Sequence, residues 1–310
     1  MRISNSRDAA TATLLGIVTI FLWASLVAVA RGVRESVGVV PSAAIANLLG
    51  GTIALSFGPA PWRRLQRLLR LSPKYLLGCG TLFVVFHLLL FSAIERAATN
   101  RQAVEIVLIN YLWPALSVLA MLVILRKRAS KWLGLGLLVA IFGAFEAISA
   151  TPDGSVSLAS FRTHIAINPW PYFFSMMAAF CWALYSTLTR RWAADVNENV
   201  APLFLFATGV GLFVLHGVSG GALHLPLQLR VLLQLAYLTI FPTMLAYLFW
   251  DRAMRRGRIV LVMSFSFLTP VLSTTISCLY LGVPLERNLL IASGMVVAGA
   301  VICNRSVRSS

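Results

Sequence analysis

The sequence predicts an all-α integral membrane protein: ten transmembrane helices, arranged as two inverted-topology five-helix repeats, with the N- and C-termini cytoplasmic. Three observations lead there. The composition is that of a membrane protein, the apolar residues fall into ten spans separated by short loops, and the second five spans repeat the pattern of the first five.

The 310 residues are 59% hydrophobic and 12% charged, with a mean hydropathy of +0.84, whereas soluble domains carry about 25% charged residues. A helix needs about 20 mostly apolar residues to cross the hydrocarbon core. Stretches of that kind run from 10 to 30, 39 to 58, 75 to 94, 101 to 125, 131 to 150, 169 to 189, 200 to 219, 231 to 250, 258 to 281 and 288 to 304. The first begins after Arg2 and Arg7 and passes Ala28-Val29-Ala30. It exceeds the ~7–15 apolar residues of a signal peptide and recurs later in the chain, so it reads as the first span. The longest connection, 151–168, holds Pro152, Asp153 and Gly154 and no segment able to form a soluble domain. The expected organisation is a first repeat over 1–150, an extracytoplasmic loop over 151–168 and a second repeat over 169–310.

A formal charge of +16 in a soluble protein would suggest nucleic acid, but here the basic residues follow the membrane. With the N-terminus inside, 19 of the 26 Lys and Arg residues fall on inner segments and 7 on outer ones. The positive-inside rule then places both termini of a multi-pass membrane protein in the cytoplasm, with no nucleic-acid partner. Arg63, Arg64, Arg67, Arg70 and Lys74 interleave with Trp62, Leu65, Leu68 and Leu69, the pattern of a helix lying on the inner interface against anionic lipid. Cys79, Cys181, Cys278 and Cys303 sit in or beside apolar spans without C-x-x-C spacing, so neither a disulfide framework nor a zinc site is indicated. No cofactor or metal is expected.

The internal repeat rests on several matches in one order. Phe21-Leu22-Trp23-Ala24 resembles Phe180-Cys181-Trp182-Ala183. Glu95-Arg96-Ala97 and Leu112-Trp113-Pro114-Ala115-Leu116-Ser117 align without gaps on Asp251-Arg252-Ala253 and Leu268-Thr269-Pro270-Val271-Leu272-Ser273, and Gly143-Ala144 then falls on Gly299-Ala300. Serial matches of this kind indicate duplication. Five spans per half force the second copy to insert upside down, the arrangement common in secondary transporters. Because both repeats lie in one chain, a monomer suffices.

Candidate pathway residues follow from the repeat. Pro114 and Pro270 lie mid-span and free the carbonyls of Asn110 and Ser266, which is tolerated at that depth only beside protein or a wet cavity. At about 100° per residue, Gln102, Glu105, Asn110, Trp113 and Ser117 share an arc of roughly 140° on the fourth span, with Tyr111 pointing elsewhere. Ser266, Thr269, Ser273 and Ser277 form the matching arc on the ninth. Each hydroxyl alone suits helix-to-helix bonding equally well; the pairing of the two faces points to a shared cavity. Glu105 is an intramembrane ionisable group, read either as an ion pair with Arg101 or as a site for a substrate ammonium or a proton. His87 is read as a neutral ring that bonds another helix or a substrate carboxylate, and Glu146 as interfacial. Trp23, Trp113, Trp182, Tyr185, Tyr247 and Trp250 supply aromatic surface. The tryptophans near mid-helix are placed to stack on a flat apolar ligand.

The run Gln102-Ala103-Val104-Glu105-Ile106-Val107-Leu108-Ile109-Asn110-Tyr111-Leu112-Trp113-Pro114 resembles the fourth-helix signature of YddG-type aromatic amino acid exporters of the drug/metabolite transporter (EamA-like) superfamily. Phe21 to Ala24, Tyr247 with Trp250, and Thr269 to Ser273 carry the resemblance across nearly the whole chain. It implies a ten-helix inverted-repeat exporter of the bacterial inner membrane, with both termini cytoplasmic, that moves aromatic and some other neutral amino acids out of the cell. The acid that superfamily members often carry just after the ninth helix is replaced here by Val283, with Glu286 following later.

Competing functions are an exporter of drugs or quaternary cations, since an aromatic cavity also suits cations, and a passive amino acid channel. His216-Gly217-Val218-Ser219-Gly220-Gly221 matches the G-x-S-x-G pattern of serine hydrolases, but it lacks the strand-turn-helix context that pattern requires. H-E-x-x-H and Walker motifs are absent, which argues against a zincin and against direct use of ATP.

Overall fold

A computed structural model describes residues 6–57, 60–149, 158–222, 228–282 and 287–308. Arg2, Pro152 to Gly154, Val283 and Glu286 lie outside them. The described chain is almost entirely helical. The first half holds α1 (Ser6–Val37), α2 (Val39–Ser56), α3 (Pro61–Leu69), a π-helical turn (Lys74–Cys79) that runs into α4 (Gly80–Glu95), α5 (Asn100–Asn110), α6 (Trp113–Ile124) and α7 (Trp132–Ser149). Then come α8 (Leu158–Ile167), α9 (Trp170–Ala193), α10 (Ala201–Val218), α11 (Leu229–Leu238), a second π-helical stretch (Thr239–Leu245), α12 (Ala246–Arg256), α13 (Ile259–Ser266), α14 (Thr269–Leu281) and α15 (Arg287–Ser306).

Among the described residues seven helices are long and apolar enough to cross a membrane, or eight if α13 and α14, bent by 46° at their junction, count as one span. Ten apolar stretches are legible in the sequence, and two fall short of this test for physical reasons. The apolar part of α7 is short (Trp132–Ala147). α9 has 24 residues but buries Tyr172, Ser175, Ser186, Thr187 and Thr189, because it faces the protein interior. The connection read as a plain loop also differs: its second part forms α8.

Polarity is arranged as lipid demands. Val123, Leu138, Val214 and Leu290 are exposed, while Thr19, His87, Glu105, Thr208, Asp251 and Ser266 are buried. With lipid on the outside, apolar surface gives helices little reason to associate, so close packing of small residues takes over. α2 crosses α10 at Gly51 and Gly209. A Cβ on Gly51 would lie 2.4 Å from the Phe206 backbone nitrogen, and one on Gly209 2.4 Å from that of Leu48. α7 meets α15 in the same manner, with Gly299 against the Ala140 backbone and Gly143 against Val296.

The connection between α6 and α7 is tied to the chain's far end by a two-stranded antiparallel ladder that pairs Arg128 with Arg308 and Ala129 with Val307. Trp62 and Leu69 of α3 are exposed beside Arg63 and Arg70, in keeping with an interfacial helix. Two of its cations are engaged with protein: Arg64 donates to Ala54 O at 2.8 Å and Arg67 pairs with Glu198.

Candidate functional site

Two mid-chain breaks shape the centre. α5 ends at Asn110 and α6 starts at Trp113; α13 ends at Ser266 and α14 starts at Thr269. Pro114 and Pro270 sit in the first turn of the second helix of each pair, where a missing N–H costs nothing. Two non-helical residues thus precede the second helix of each pair, and α13 and α14 meet at 46°. The carbonyl of Ser266 is taken up locally, accepting Thr269 Oγ1 at 2.7 Å.

Between these breaks lies a cavity of about 790 Å³. Its mouth is formed by the end of α1 (Arg34, Glu35), the start of α2 (Gly38, Val39) and the α4–α5 connection (Glu95 and Ala97 to Asn100). Deeper, it is lined by Asn47, His87, Val107, Asn110, Tyr111, Thr243, Thr269, Pro270, Ser273 and Ser277, together with Trp23, Trp113, Trp182 and Tyr247. These four rings and Trp250 form one cluster around Trp23. Their centroids lie 6.3 Å (Trp113), 5.5 Å (Trp182), 5.5 Å (Tyr247) and 5.0 Å (Trp250) from its own.

Polar groups in the wall divide into satisfied and unsatisfied. His87 Nδ1 lies 2.8 Å from Phe83 O and Nε2 2.8 Å from the Tyr247 hydroxyl. A carbonyl only accepts, so Nδ1 carries the proton and Nε2 of the neutral ring accepts from Tyr247. His87 thus bonds another helix, one of its two expected roles. Trp23 Nε1, Asn47 Oδ1, Asn110 Oδ1 and Ser277 Oγ are buried without a hydrogen-bond partner. Buried polar atoms are nearly always paired, so these four atoms give the cavity wall spare hydrogen-bonding capacity.

Several expected residues stand elsewhere. Gln102, Glu105, Pro114, Ser117, Tyr185 and Ser266 are not in the cavity wall, whereas Tyr111 is. Gln102, Glu105 and Asn110 share the unbroken helix α5, but the cavity meets only the edge of their arc that holds Asn110: the face of α5 on the cavity is Ala103, Val104, Val107 and Asn110. Gln102 turns back to accept from Ala98 N at 2.7 Å. Ser117 and Ser266 bond carbonyls of their own segments, Trp113 O and Val262 O. Tyr185 is buried against Phe83 and Trp182.

Glu105 has neither Arg101 nor open space beside it. Its carboxylate, fully buried, accepts from Ser160 (2.9 Å), His164 (2.9 Å) and Tyr172 (2.5 Å). It fastens α8 and α9 to α5. Sequence periodicity gave no access to this cluster, because two of its donors come from the connection read as structureless.

The opposite end is shut. Asp251, fully buried, accepts from Tyr75 Oη at 2.8 Å and from Arg255 Nε at 2.8 Å and Nη2 at 2.6 Å. Arg255 Nη1 donates to Val196 O at 2.5 Å. Arg190 donates Nη1 to Arg255 O at 2.9 Å and Nη2 to Gly257 O. Further out, Asp8 pairs with Arg252 and Arg256. The one trace of this network in the sequence is the alignment of Asp251 on Glu95. Asn47, also not anticipated, is a lone amide in an otherwise apolar span. Ser219, at the end of α10, is exposed and donates to Leu215 O at 2.9 Å.

A model of the EamA-like transporter family matches residues 10–148 and again residues 169–305. The chain belongs to the EamA-like transporter family. EamA-like relatives include the aromatic amino acid exporter YddG of Escherichia coli K12, 29% identical over 94% of this chain and 96% of that protein. The YddG of Salmonella typhimurium is 30% identical over the same shares. A YddG of Ancylobacter novellus is 29% identical over 96% of this chain and 98% of its own. A solved crystal structure superposes with a TM-score of 0.77 at 27% identity, covering 94% of this chain and 96% of that one. This EamA-like protein is therefore a membrane exporter of the bacterial inner membrane and not an enzyme.

Proposed function

We propose that the protein exports aromatic and other neutral amino acids from the cytoplasm, alternating access between two inverted five-helix repeats. The repeats span 1–150 and 169–310, joined outside the membrane by 151–168, with ten spans and both termini cytoplasmic. In that frame the cavity mouth faces outward and the Asp251 network closes the cytoplasmic side. The observation that carries the reading is the cavity itself: indole and phenol rings at its floor, with unpartnered polar atoms on Trp23 and Asn110 beside them. The rings offer stacking surface to an aromatic side chain. The Trp23 N–H suits a substrate carboxylate, and the Asn110 carbonyl oxygen suits its ammonium group. His87, Thr269 and Tyr247 complete the wall.

Three lines support the inverted repeat: two successive matches to one family model, the paired breaks before Pro114 and Pro270, and two crossings, α2 with α10 and α7 with α15, between helices of the same rank in each half. The sealed cytoplasmic end favours alternating access over an open channel. Because both halves of the pathway come from one chain, a monomer suffices.

Uptake into proteoliposomes of labelled phenylalanine, tryptophan, threonine and a quaternary cation, with and without a pH gradient, tests substrate and coupling together. The reading requires saturable amino acid flux and counterflow. Flux of the cation alone, or unsaturable flux without counterflow, overturns it.

A further inference from the structure

The short helix α3 has three faces. At about 100° per residue, Trp62, Leu65 and Leu69 fall within roughly 60° of arc, and Arg63, Arg67 and Arg70 fall within about 60° beside them. Arg64 and Leu68 lie on the third face. Leu68 is fully buried and Arg64 donates to Ala54 O and Phe57 O, so this face fastens the helix to the end of α2. Trp62 and Leu69 are 69% and 60% exposed, and Arg63, Arg67 and Arg70 are exposed as well. An apolar face flanked by a row of guanidinium groups suits a bilayer surface, with the apolar side chains in the acyl boundary and the arginines at the depth of the phosphates.

The basic row also reaches the closed end. Arg67 Nε lies 2.6 Å from Glu198 Oε1, an ion pair whose side chains are 57% and 29% exposed. Glu198 belongs to the connection between α9 and α10, which holds two arginines of α12. Val196 O accepts from Arg255 Nη1 at 2.5 Å, and Asn197 Oδ1 accepts from Arg256 Nη2 at 2.5 Å. Asn199 of the same connection donates to Leu248 O at 2.8 Å. Past its C-terminal end α3 leads through Ser72 to Tyr75, which donates to Asp251. Two routes thus join α3 to the contacts that shut the cytoplasmic side, one through Glu198 and one through Tyr75.

We propose that α3 is a docking surface for anionic phospholipid headgroups, whose phosphates draw Arg67 from Glu198 and so loosen the closed cytoplasmic end. The magnitudes favour the exchange. Each basic residue beside an anionic leaflet favours its approach about fivefold, and three act together here. An exposed ion pair is worth about fivefold at most. The site deepens the alternating-access reading above and rests on it.

The test uses full-length protein with its four native cysteines replaced by alanine and Val200→Cys as reporter, since Val200 is fully buried at the closed end. The protein is reconstituted in vesicles of phosphatidylcholine, alone or mixed with phosphatidylglycerol, and treated with a membrane-permeant maleimide. Phosphatidylglycerol raises labelling about two- to fivefold, the range for losing one exposed ion pair. An anionic surface gathers protons and so disfavours the reactive thiolate, which makes a rise the signature of opening. Arg63→Gln combined with Arg70→Gln removes the rise, and Glu198→Gln reproduces it in phosphatidylcholine alone. Native mass spectrometry shows phosphatidylglycerol retained by the wild type in preference to phosphatidylcholine and lost from the double variant. Equal labelling in both vesicles, equal retention of both lipids, or the same rise with soluble glycerol phosphate in place of the lipid overturns the proposal. Phenylalanine counterflow in the same vesicles separates the two readings. Counterflow without a lipid response overturns the α3 site alone, and no counterflow in either vesicle overturns the alternating access beneath it.

Discussion

Replacing Asn110 with leucine moves stability and affinity in opposite directions. Asn110 Oδ1 is buried in the cavity wall with no partner, and an unmade hydrogen bond of this kind costs about 1–3 kcal/mol in the unliganded protein. Leucine is close in size and has no polar atom, so Asn110→Leu relieves that cost and raises the unfolding free energy by up to the same amount. Under the proposed function the same oxygen accepts from the substrate ammonium, a charge-assisted bond worth about 1.5–3 kcal/mol. Its loss weakens the dissociation constant by about 10- to 150-fold. Scintillation-proximity binding of labelled phenylalanine gives the second quantity, and thermal unfolding of the detergent-solubilised protein gives the sign of the first. A variant that is less stable yet binds as tightly as wild type refutes the reasoning, because Asn110 then serves packing and not the ligand.

Trp23→Phe keeps a ring among the surrounding aromatics but removes the unpartnered Nε1–H; phenylalanine binding weakens by about tenfold or more in the same assay, if that donor meets a carboxylate. Glu105→Gln strips a buried carboxylate that satisfies three donors and lowers the unfolding free energy by about 1.5–3 kcal/mol. Hydrogen exchange quickens in α8 while substrate affinity is unchanged; a fall in affinity alone would return Glu105 to the pathway. Gly51→Ala drives a methyl against the backbone of α10, which has no rotamer to yield, and costs about 1–3 kcal/mol. The expected result is loss of monodisperse protein on size exclusion, and a normal yield would mean the two helices can separate freely.

The breaks at mid-membrane were legible because proline acts on the backbone directly: Pro114 and Pro270 mark where two helices stop and two begin. The clustering of Trp23, Trp113, Trp182 and Tyr247 was legible for a related reason, since large aromatic side chains at mid-span have no interfacial role to occupy them. The polar face of α5 was misread. Periodicity gives the relative angles of residues on α5 but not which part of the arc meets the cavity, and only its Asn110 edge does. Periodicity also cannot say which polar residues are already satisfied. Glu105 and Asn110 lie on one arc by counting, yet Glu105 is saturated by Ser160, His164 and Tyr172, while Asn110 Oδ1 has no bond. Only three-dimensional proximity separates a structural polar residue from one with spare capacity.

That distinction bears on how an exporter binds and releases. The charged residues in the cavity wall, Arg34, Glu35 and Glu95, stand at its mouth; the deeper orphans are an indole, two amides and a hydroxyl. A hydrogen bond to a charged group contributes about 1.5–3 kcal/mol, so the two proposed for Trp23 and Asn110 supply roughly 3–6 kcal/mol before any stacking is counted. Binding of that order, reinforced by the rings, corresponds to dissociation constants in the millimolar to micromolar range, about −4 to −8 kcal/mol. A buried counter-charge for each end of a zwitterion would hold the substrate more tightly and slow its departure. A floor of dipoles and rings instead fits a protein that fills when the cytoplasmic concentration is high and empties readily once the mouth opens. The buried ion pair of Asp251 and Arg255 lies away from the cavity wall, so it adds nothing to the hold on a substrate.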